Sequence, residues 1–152
     1  MTRSTATCRK ELSIAEAAYL AGLIDGEGGI YISKFKRANP HGFVYELCLR
    51  ITNTDPSIIN LCNKYGGCWQ GQEQTSRWKI VYRWLFGKDD IRFYVPQLLP
   101  YLVIKRKQAE IILEALKCCK GSGFPQDKEK LSFLRKELDK FNRRGSKVGK
   151  YE

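Results

Sequence analysis

The residues best suited to chemistry lie at the end of a predicted helix, which finishes in Asp25-Gly26-Glu27-Gly28. Carbonyl groups at a helix C-terminus carry partial negative charge and lack partners within the helix. A carboxylate beside them creates a set of hard oxygen ligands, the kind that Mg2+ prefers. The Glu27 carboxylate and the Gly26 carbonyl are therefore a candidate cation site. The same spacing also fits a plain helix end with two glycine turns and a solvated Glu27.

The same helix carries a row of small residues. Ala18, Gly22 and Gly26 are spaced four apart, so they line up on one face and let another helix approach closely. Because the chain has only one such helix, the natural partner is a second copy, and a two-fold axis would bring two candidate cation sites together. We therefore predict a homodimer interface, formed by Ala18, Ala21, Gly22, Asp25 and Gly26.

Composition points to a polyanionic partner. The 152 residues include 27 Lys and Arg against 16 Asp and Glu, a net charge of +11. Such a surplus favours nucleic acid, although it also serves solubility alone. The apolar runs are too short to cross a bilayer, and the N-terminus has no apolar signal core, so we expect an intracellular protein without a membrane partner. Organelle (chloroplast or mitochondrion) and microbial cytoplasm remain open. No pair of the six cysteines has zinc-site spacing, which predicts reduced, mostly buried thiols.

The elements that must position these residues can be placed from capping and periodicity. Ser13 and Glu16 form a capping box, which predicts the start of the first helix. We expect a flexible arm over 1–12, one domain over 13–142 and a basic disordered tail over 143–152. The predicted helices span 14–26, 55–66, 89–99, 105–119 and 126–142, and the predicted strands span 30–36, 43–52, 68–72 and 77–85.

This order predicts an α+β domain with a four-stranded antiparallel sheet and helices on one face. In the second strand Tyr45, Leu47, Leu49 and Ile51 alternate with polar residues. The opposite face is rich in the residue types that read base edges in a major groove, although any half-buried sheet has a polar face. The predicted DNA-binding residues are Ser33, Glu46, Arg50, Gln70, Gln72, Arg77 and Lys79, together with Lys107.

Residues 20–28, Leu-Ala-Gly-Leu-Ile-Asp-Gly-Glu-Gly, are similar to the nine-residue motif of the LAGLIDADG homing endonucleases. The resemblance extends over about 13–142, because the predicted αββαββα order matches that family. Residues 99–109 are also similar to the family segment that contains an active-site lysine. The resemblance implies that Glu27 and Gly26 bind the metal, that Lys105 lies near the scissile phosphate, and that Asn53 orders solvent there. Two alternatives stay open: Lys105 could lie on a phosphate, and Asn53 could cap the following helix.

The resemblance further implies a function. A chain with a single motif acts as a homodimer in this family, so we expect an intron-type, site-specific endonuclease that hydrolyses both strands of a long near-palindromic DNA target. Mg2+ is the expected cofactor, with Mn2+ and Ca2+ able to occupy the same sites, and no small-molecule substrate is expected. The rival interpretations are an RNA-binding intron maturase and a non-catalytic DNA-binding protein on the same fold. Glu27 and Lys105 are both intact, which favours the enzyme.

Overall fold

The computed structural model describes residues 2–6, 9–36, 42–72, 79–119 and 126–142. Within them, none of the helices combines the length and the apolarity that crossing a membrane requires. A short 3-10 turn, Leu99–Tyr101, lies between the third and fourth helices. The strands are β1 (Thr2–Ala6), β2 (Gly28–Lys36), β3 (Phe43–Asn53), β4 (Gly67–Gln72) and β5 (Val81–Phe86), and the helices are α1 (Ile14–Glu27), α2 (Ile58–Tyr65), α3 (Lys88–Leu98), α4 (Arg106–Lys117) and α5 (Lys128–Asn142).

The sheet is antiparallel and has the strand order β1-β4-β5-β3-β2. The α+β class and the four predicted strands are confirmed. A fifth strand comes from the segment that we expected to be a flexible arm, because Thr2–Ala6 pairs with β4 from Gly67 to Gly71. An unpaired strand edge offers free backbone N–H and C=O groups, and β1 occupies the edge of β4. The tail predicted over 143–152 lies outside the described residues.

Strand alternation puts the core on one side of the sheet, as predicted. Tyr45, Leu47, Leu49 and Ile51 of β3 are all buried. Trp84 of β5 lies at the centre of this face, and its indole Nε1 donates a hydrogen bond of 2.8 Å to the Gly66 carbonyl. Four of the five described cysteines are buried. Helix α1 packs on this core through Ala17, Leu20, Ala21 and Ile24.

Several boundaries differ from the prediction by a few residues, and two of them have local reasons that the structure shows. Helix α2 begins at Ile58 and not at Asp55, because the Asp55 carboxylate accepts a 2.9 Å hydrogen bond from the Ser57 N–H and forms a turn before the helix. Helix α3 ends at Leu98, where the chain tightens into the 3-10 turn at Pro100. At the start of β5, Arg77 lies outside the described residues, and Lys79 precedes the strand.

Helix α5 covers the free edge of β2. The Arg135 guanidinium Nε donates a hydrogen bond of 3.0 Å to the carbonyl of Ile32. The Asn142 amide donates one of 2.8 Å to the carbonyl of Ile30. These bonds satisfy carbonyls that an edge strand would otherwise expose. They also hold the C-terminal end of α5 beside the start of β2, where α1 ends.

Candidate active site and nucleic-acid interface

The start of α1 is fixed by the capping box. The Ser13 hydroxyl accepts a 3.2 Å hydrogen bond from the Glu16 N–H, and the Glu16 carboxylate accepts one of 3.3 Å from the Ser13 N–H. The Tyr65 hydroxyl of α2 donates a further bond to this carboxylate. That bond, followed by those from Ser13, lowers the pKa of Glu16 to about 2. The first turn of α1 is thus attached to α2, which fixes the direction in which α1 runs.

The end of α1 leads straight into β2 without a loop. The Gly28 N–H closes the last turn on the Ile24 carbonyl. A Cβ atom at position 28 would lie 2.6 Å from that carbonyl oxygen, so only glycine fits this close approach. Glu27 is the last residue of α1 and is exposed at this junction. Its carboxylate is therefore held next to a helix C-terminus, as the sequence predicts.

Asp25 joins α1 to the segment that precedes α4. Its carboxylate accepts two hydrogen bonds of 2.9 Å each, from the backbone N–H groups of Val103 and Lys105. The Lys105 ammonium in turn donates a 2.6 Å bond to the Asp25 carbonyl, where it meets the negative end of the helix dipole. We predicted Asp25 at the dimer interface. Its carboxylate binds the backbone of its own subunit, and its place at the dimer interface stays a prediction. The Lys105 ammonium lies at the carbonyl of Asp25, two positions before Glu27 in the sequence.

Glu27 and Lys105 line one open pocket of about 760 Å³. Its other polar walls come from β3, α4 and α5. Carboxylate, hydroxyl and amide oxygens are hard ligands, so these walls fit a hydrated divalent cation. The described residues contain no group of three or more His, Cys, Asp and Glu side chains that could hold a metal ion. A cation here would therefore need oxygen atoms from a ligand as well. The polar side chains that join Glu27 and Lys105 are Arg50, Thr52, Gln108, Asp139 and Asn142.

Asn53 does not join this pocket. Its Oδ1 accepts a 2.9 Å hydrogen bond from the Asp55 N–H, so the side chain stabilises the turn before α2. This bond lies in the turn before α2, which begins only at Ile58, so it does not cap the helix, and the solvent-ordering role of Asn53 stays a prediction. Strand alternation explains the difference, because successive side chains of β3 point to opposite faces. Arg50 and Thr52 line the pocket in its place.

No protein-family model and no curated protein sequence matches the chain. Solved structures do. A complex of the homing endonuclease I-CvuI with the I-CreI target superposes with a TM-score of 0.69 at 21% identity, over 88% of this chain and 85% of that one. The archaeal intron-encoded homing endonuclease I-Vdi141I, complexed with DNA, gives 0.69 at 17% identity, over 91% and 89%. This chain has the LAGLIDADG homing endonuclease fold. It also matches I-SmaMI bound to uncleaved DNA, with a TM-score of 0.66 at 16% identity, over 86% of this chain and 46% of that one.

The polar face of the sheet in this homing endonuclease fold carries the predicted DNA-binding residues that belong to described strands. Residues paired directly across antiparallel strands share a face. The register therefore brings Ser33 opposite Glu46. Gln70, predicted, lies opposite Arg83, which the prediction omitted. Arg50, Gln72, Lys79 and Lys107 are all exposed, the last on the first turn of α4.

Sequence reasoning missed two residues of this face. Arg83 donates a 2.7 Å hydrogen bond from its guanidinium to the Gln72 amide oxygen. Arg83 alternates with Arg77 and Lys79 in the sequence, and this period-two pattern could have identified Arg83 as part of the face. Tyr31 supports the Arg50 guanidinium, which lies 4.9 Å from the centre of the tyrosine ring. Tyr31 and Arg50 line both the pocket and a groove of about 600 Å³ on the polar face, so the two features are continuous.

The row of small residues on α1 is exposed, whereas Ala21 beside it is buried. Ala18, Gly22 and Gly26 face outward, and no atom of the described residues lies within 4 Å of a Cβ atom built on either glycine. Ala21, which we predicted with them, is 0% exposed and packs in the core of its own subunit. It borders the row on the core-facing side of the helix, together with Ala17, Leu20 and Ile24. Close to this row Val103 is 81% exposed, which extends the uncovered apolar surface.

Proposed function

We propose that this chain is one subunit of a site-specific, intron-type homing endonuclease that hydrolyses both strands of a DNA target. One observation carries the proposal. Asp25 holds the Lys105 ammonium at the C-terminus of α1, in the same pocket as Glu27, and this pocket opens onto the polar face of the sheet. A DNA strand lying along that face would therefore bring a phosphate to an acidic and a basic side chain at once.

The DNA partner is supported by charge and by dimensions. The net charge of +11 favours a polyanion, and I-CvuI and I-Vdi141I were both solved with DNA. Strand β3 has 11 residues, which at ~3.3 Å per residue covers roughly ten base pairs. Two subunits would then read on the order of 20 base pairs, a length compatible with a near-palindromic target.

The chemistry divides between the two charged residues. Glu27 and the Gly26 carbonyl would hold the cation, and I-CvuI was solved with magnesium and with calcium. A bound divalent ion supplies positive charge at the reacting phosphate and lowers the pKa of its water. Lys105 adds a fixed positive charge where negative charge develops on the phosphate. Mg2+ is the proposed cofactor, and Mn2+ and Ca2+ have the oxygen preference needed for the same ligands.

The active assembly that we propose is a homodimer about the exposed face of α1. The open space over Gly22 and Gly26 would admit the same helix of a second copy, and the exposed Val103 would be covered. Because Glu27 ends this helix, each copy would bring its carboxylate close to the two-fold axis. Two pockets side by side would then act on the two DNA strands.

The test is a paired measurement on Glu27→Gln. The target is first selected from a randomised DNA library by binding to the wild-type protein, and its cleavage in Mg2+ is then measured. Glu27→Gln is expected to bind this target as tightly as wild type or more tightly, because a negative charge near phosphate is removed. It should cut at least about 100-fold more slowly, because a charge that acts at the reacting phosphate is lost.

The matched control is Glu114→Gln, a carboxylate on α4 that pairs with Lys117 at 2.8 Å and is not part of the pocket. It should bind and cut like wild type. Cleavage by Glu27→Gln at the wild-type rate would remove Glu27 from the chemistry. Tight binding without any cutting by wild type would favour the non-catalytic DNA-binding protein, and preference for structured RNA would favour the maturase.

A further inference from the structure

Arg50 and Tyr31 form a stacked pair on the polar face of the sheet. The register pairs Arg50 of β3 with Gly29 of β2, so Tyr31 is its diagonal neighbour on the same face. A Cβ atom on Gly29 would lie 3.8 Å from Cγ and Nε of Arg50, so the arginine side chain passes the glycine at van der Waals distance. The guanidinium carbon lies 4.9 Å from the centre of the Tyr31 ring, which is a cation–π contact. The glycine and the ring together limit where this side chain can lie.

The contact with the ring leaves the hydrogen-bond donors of Arg50 available to a ligand. A guanidinium carries five N–H donors in one plane, and a cation–π contact uses none of them. Arg50 is exposed, and among the described residues it forms no hydrogen bond or ion pair. An arginine that is held in place with unused donors is suited to bind a planar group with two acceptors.

The position of Arg50 favours a base edge over a phosphate. Strand β3 lies inside the sheet, between β5 and β2. When a sheet lies in the major groove, its inner strands face the base edges, and its outer strands approach the two backbones. The specific contact that arginine makes most often there is with O6 and N7 of guanine. Because Arg50 also lines the pocket of Glu27 and Lys105, the base that it reaches belongs to the part of the half-site nearest the cut.

We propose that Tyr31 is a positioning residue for specificity, which holds Arg50 so that its guanidinium donates to O6 and N7 of one guanine in each half-site. Without the ring, Arg50 keeps its charge but gains rotamers, and ordering it would then weaken binding. The strength of a cation–π contact corresponds to roughly a two- to thirtyfold change in an equilibrium constant. The guanine rests on the proposed function, whereas the stacked pair is a property of the chain alone.

The experiment measures base preference. Each base pair of the selected target is replaced in turn, and the Kd is measured in EDTA for wild type, Tyr31→Leu and Tyr31→Phe. Wild type should prefer guanine at one position near the cut in each half-site. Tyr31→Leu should reduce that preference at least about threefold and leave the preferences at other positions unchanged, because only the ring that holds Arg50 is lost. Tyr31→Phe keeps the ring and should keep the wild-type preference.

The matched control is Phe43→Leu. The Lys34 ammonium lies 4.2 Å from the centre of the Phe43 ring, so this pair is also a cation–π contact between β2 and β3. Lys34 is paired with the buried Tyr45, which places the contact on the opposite face of the sheet. Phe43→Leu should therefore leave the base preferences unchanged.

Three binding results would overturn the proposal. An undiminished guanine preference in Tyr31→Leu would mean that the ring does not position Arg50. A loss of affinity that is equal at all positions would leave Tyr31 with a structural role only. Wild type without a guanine preference near the cut would make Arg50 a phosphate contact or the reader of another base.

A second readout needs no DNA. In NMR spectra of the free protein, the ring current of Tyr31 should shift the Arg50 Nε–H resonance, and Tyr31→Leu should remove this shift while Tyr31→Phe keeps it. Equal resonances in wild type and Tyr31→Leu would overturn the stacked pair itself. If wild type binds no DNA, the proposed function fails, and the NMR readout still decides whether Tyr31 holds Arg50.

Discussion

Asp25→Ala is expected to destabilise the fold and to inactivate the pocket together, because one carboxylate holds both Val103 and Lys105. A hydrogen bond to a charged acceptor contributes about 1.5–3 kcal/mol, less where water competes. The bond to Val103 is exposed and the bond to Lys105 is partly buried, so the lower part of that range applies. Losing both should cost about 2–4 kcal/mol. For a chain of this size the Tm should then fall by roughly 5–15 °C.

The assay measures Tm by circular dichroism and single-turnover cleavage at a temperature at which the variant is still folded. Asp89→Ala is the control, since the Asp89 side chain is 67% exposed and its ion pair with Arg92 contributes little. We expect the control to stay within a few degrees of wild type. Asp25→Ala should cut at least about tenfold more slowly while folded, because Lys105 loses its anchor. A Tm change no larger than that of the control would refute the claim that this carboxylate organises the segment.

Three further predictions concern the dimer, the DNA face and the capping box. Gly22→Leu should abolish the dimer by filling the open face of α1, and light scattering that still detects a full dimer would exclude this face as the interface. Arg50→Ala should weaken target binding by ~1–3 kcal/mol and relax preference at one base pair per half-site, whereas a loss of affinity equal for all sequences would make Arg50 a phosphate contact. Glu16→Gln should lower the Tm at pH 7. Because the Tyr65 hydroxyl and the capping bonds lower the pKa of Glu16 from 4.5 to about 2, that difference should shrink as the pH falls through this range, and a difference independent of pH would contradict the pKa.

The parts of the fold that could be predicted are those with a local physical signal. Period-two alternation assigns the two faces of β3, and the capping box marks the start of α1 at Ser13. Strand β1 could not be predicted, because its pairing with β4 joins residues about 65 positions apart and its own sequence has no apolar alternation. The start of α2 was predicted too early. Asp55 is a good capping residue, but its carboxylate stabilises a turn that precedes the helix.

The candidate site shows the same limit. Glu27 was found from its place at a helix end and Lys105 through motif resemblance, but the Asp25 carboxylate that holds Lys105 near Glu27 acts across 80 residues of sequence. Asn53 had two physically sound roles, and its side chain accepts a bond from the Asp55 N–H in a turn, which neither role anticipated.

The glycines of α1 provide an energetic argument for a partner. Glycine inside a helix is less favourable than alanine by roughly 0.5–1 kcal/mol, so Gly22 and Gly26 together cost about 1–2 kcal/mol. Gly28 has a reason within the subunit, because a Cβ atom there would meet the Ile24 carbonyl. The part of the subunit that the structure describes offers none for Gly22 and Gly26, since a Cβ at either position would meet none of its atoms within 4 Å. Whatever offsets their cost must therefore approach the helix from outside.

A second α1 would do so and would also bring two Glu27 carboxylates together, where like charges repel unless cations lie between them. The proposed interface and the proposed metal requirement would thus depend on each other. Gly22→Ala, which adds one methyl group, should stabilise the isolated subunit slightly while weakening the proposed dimer.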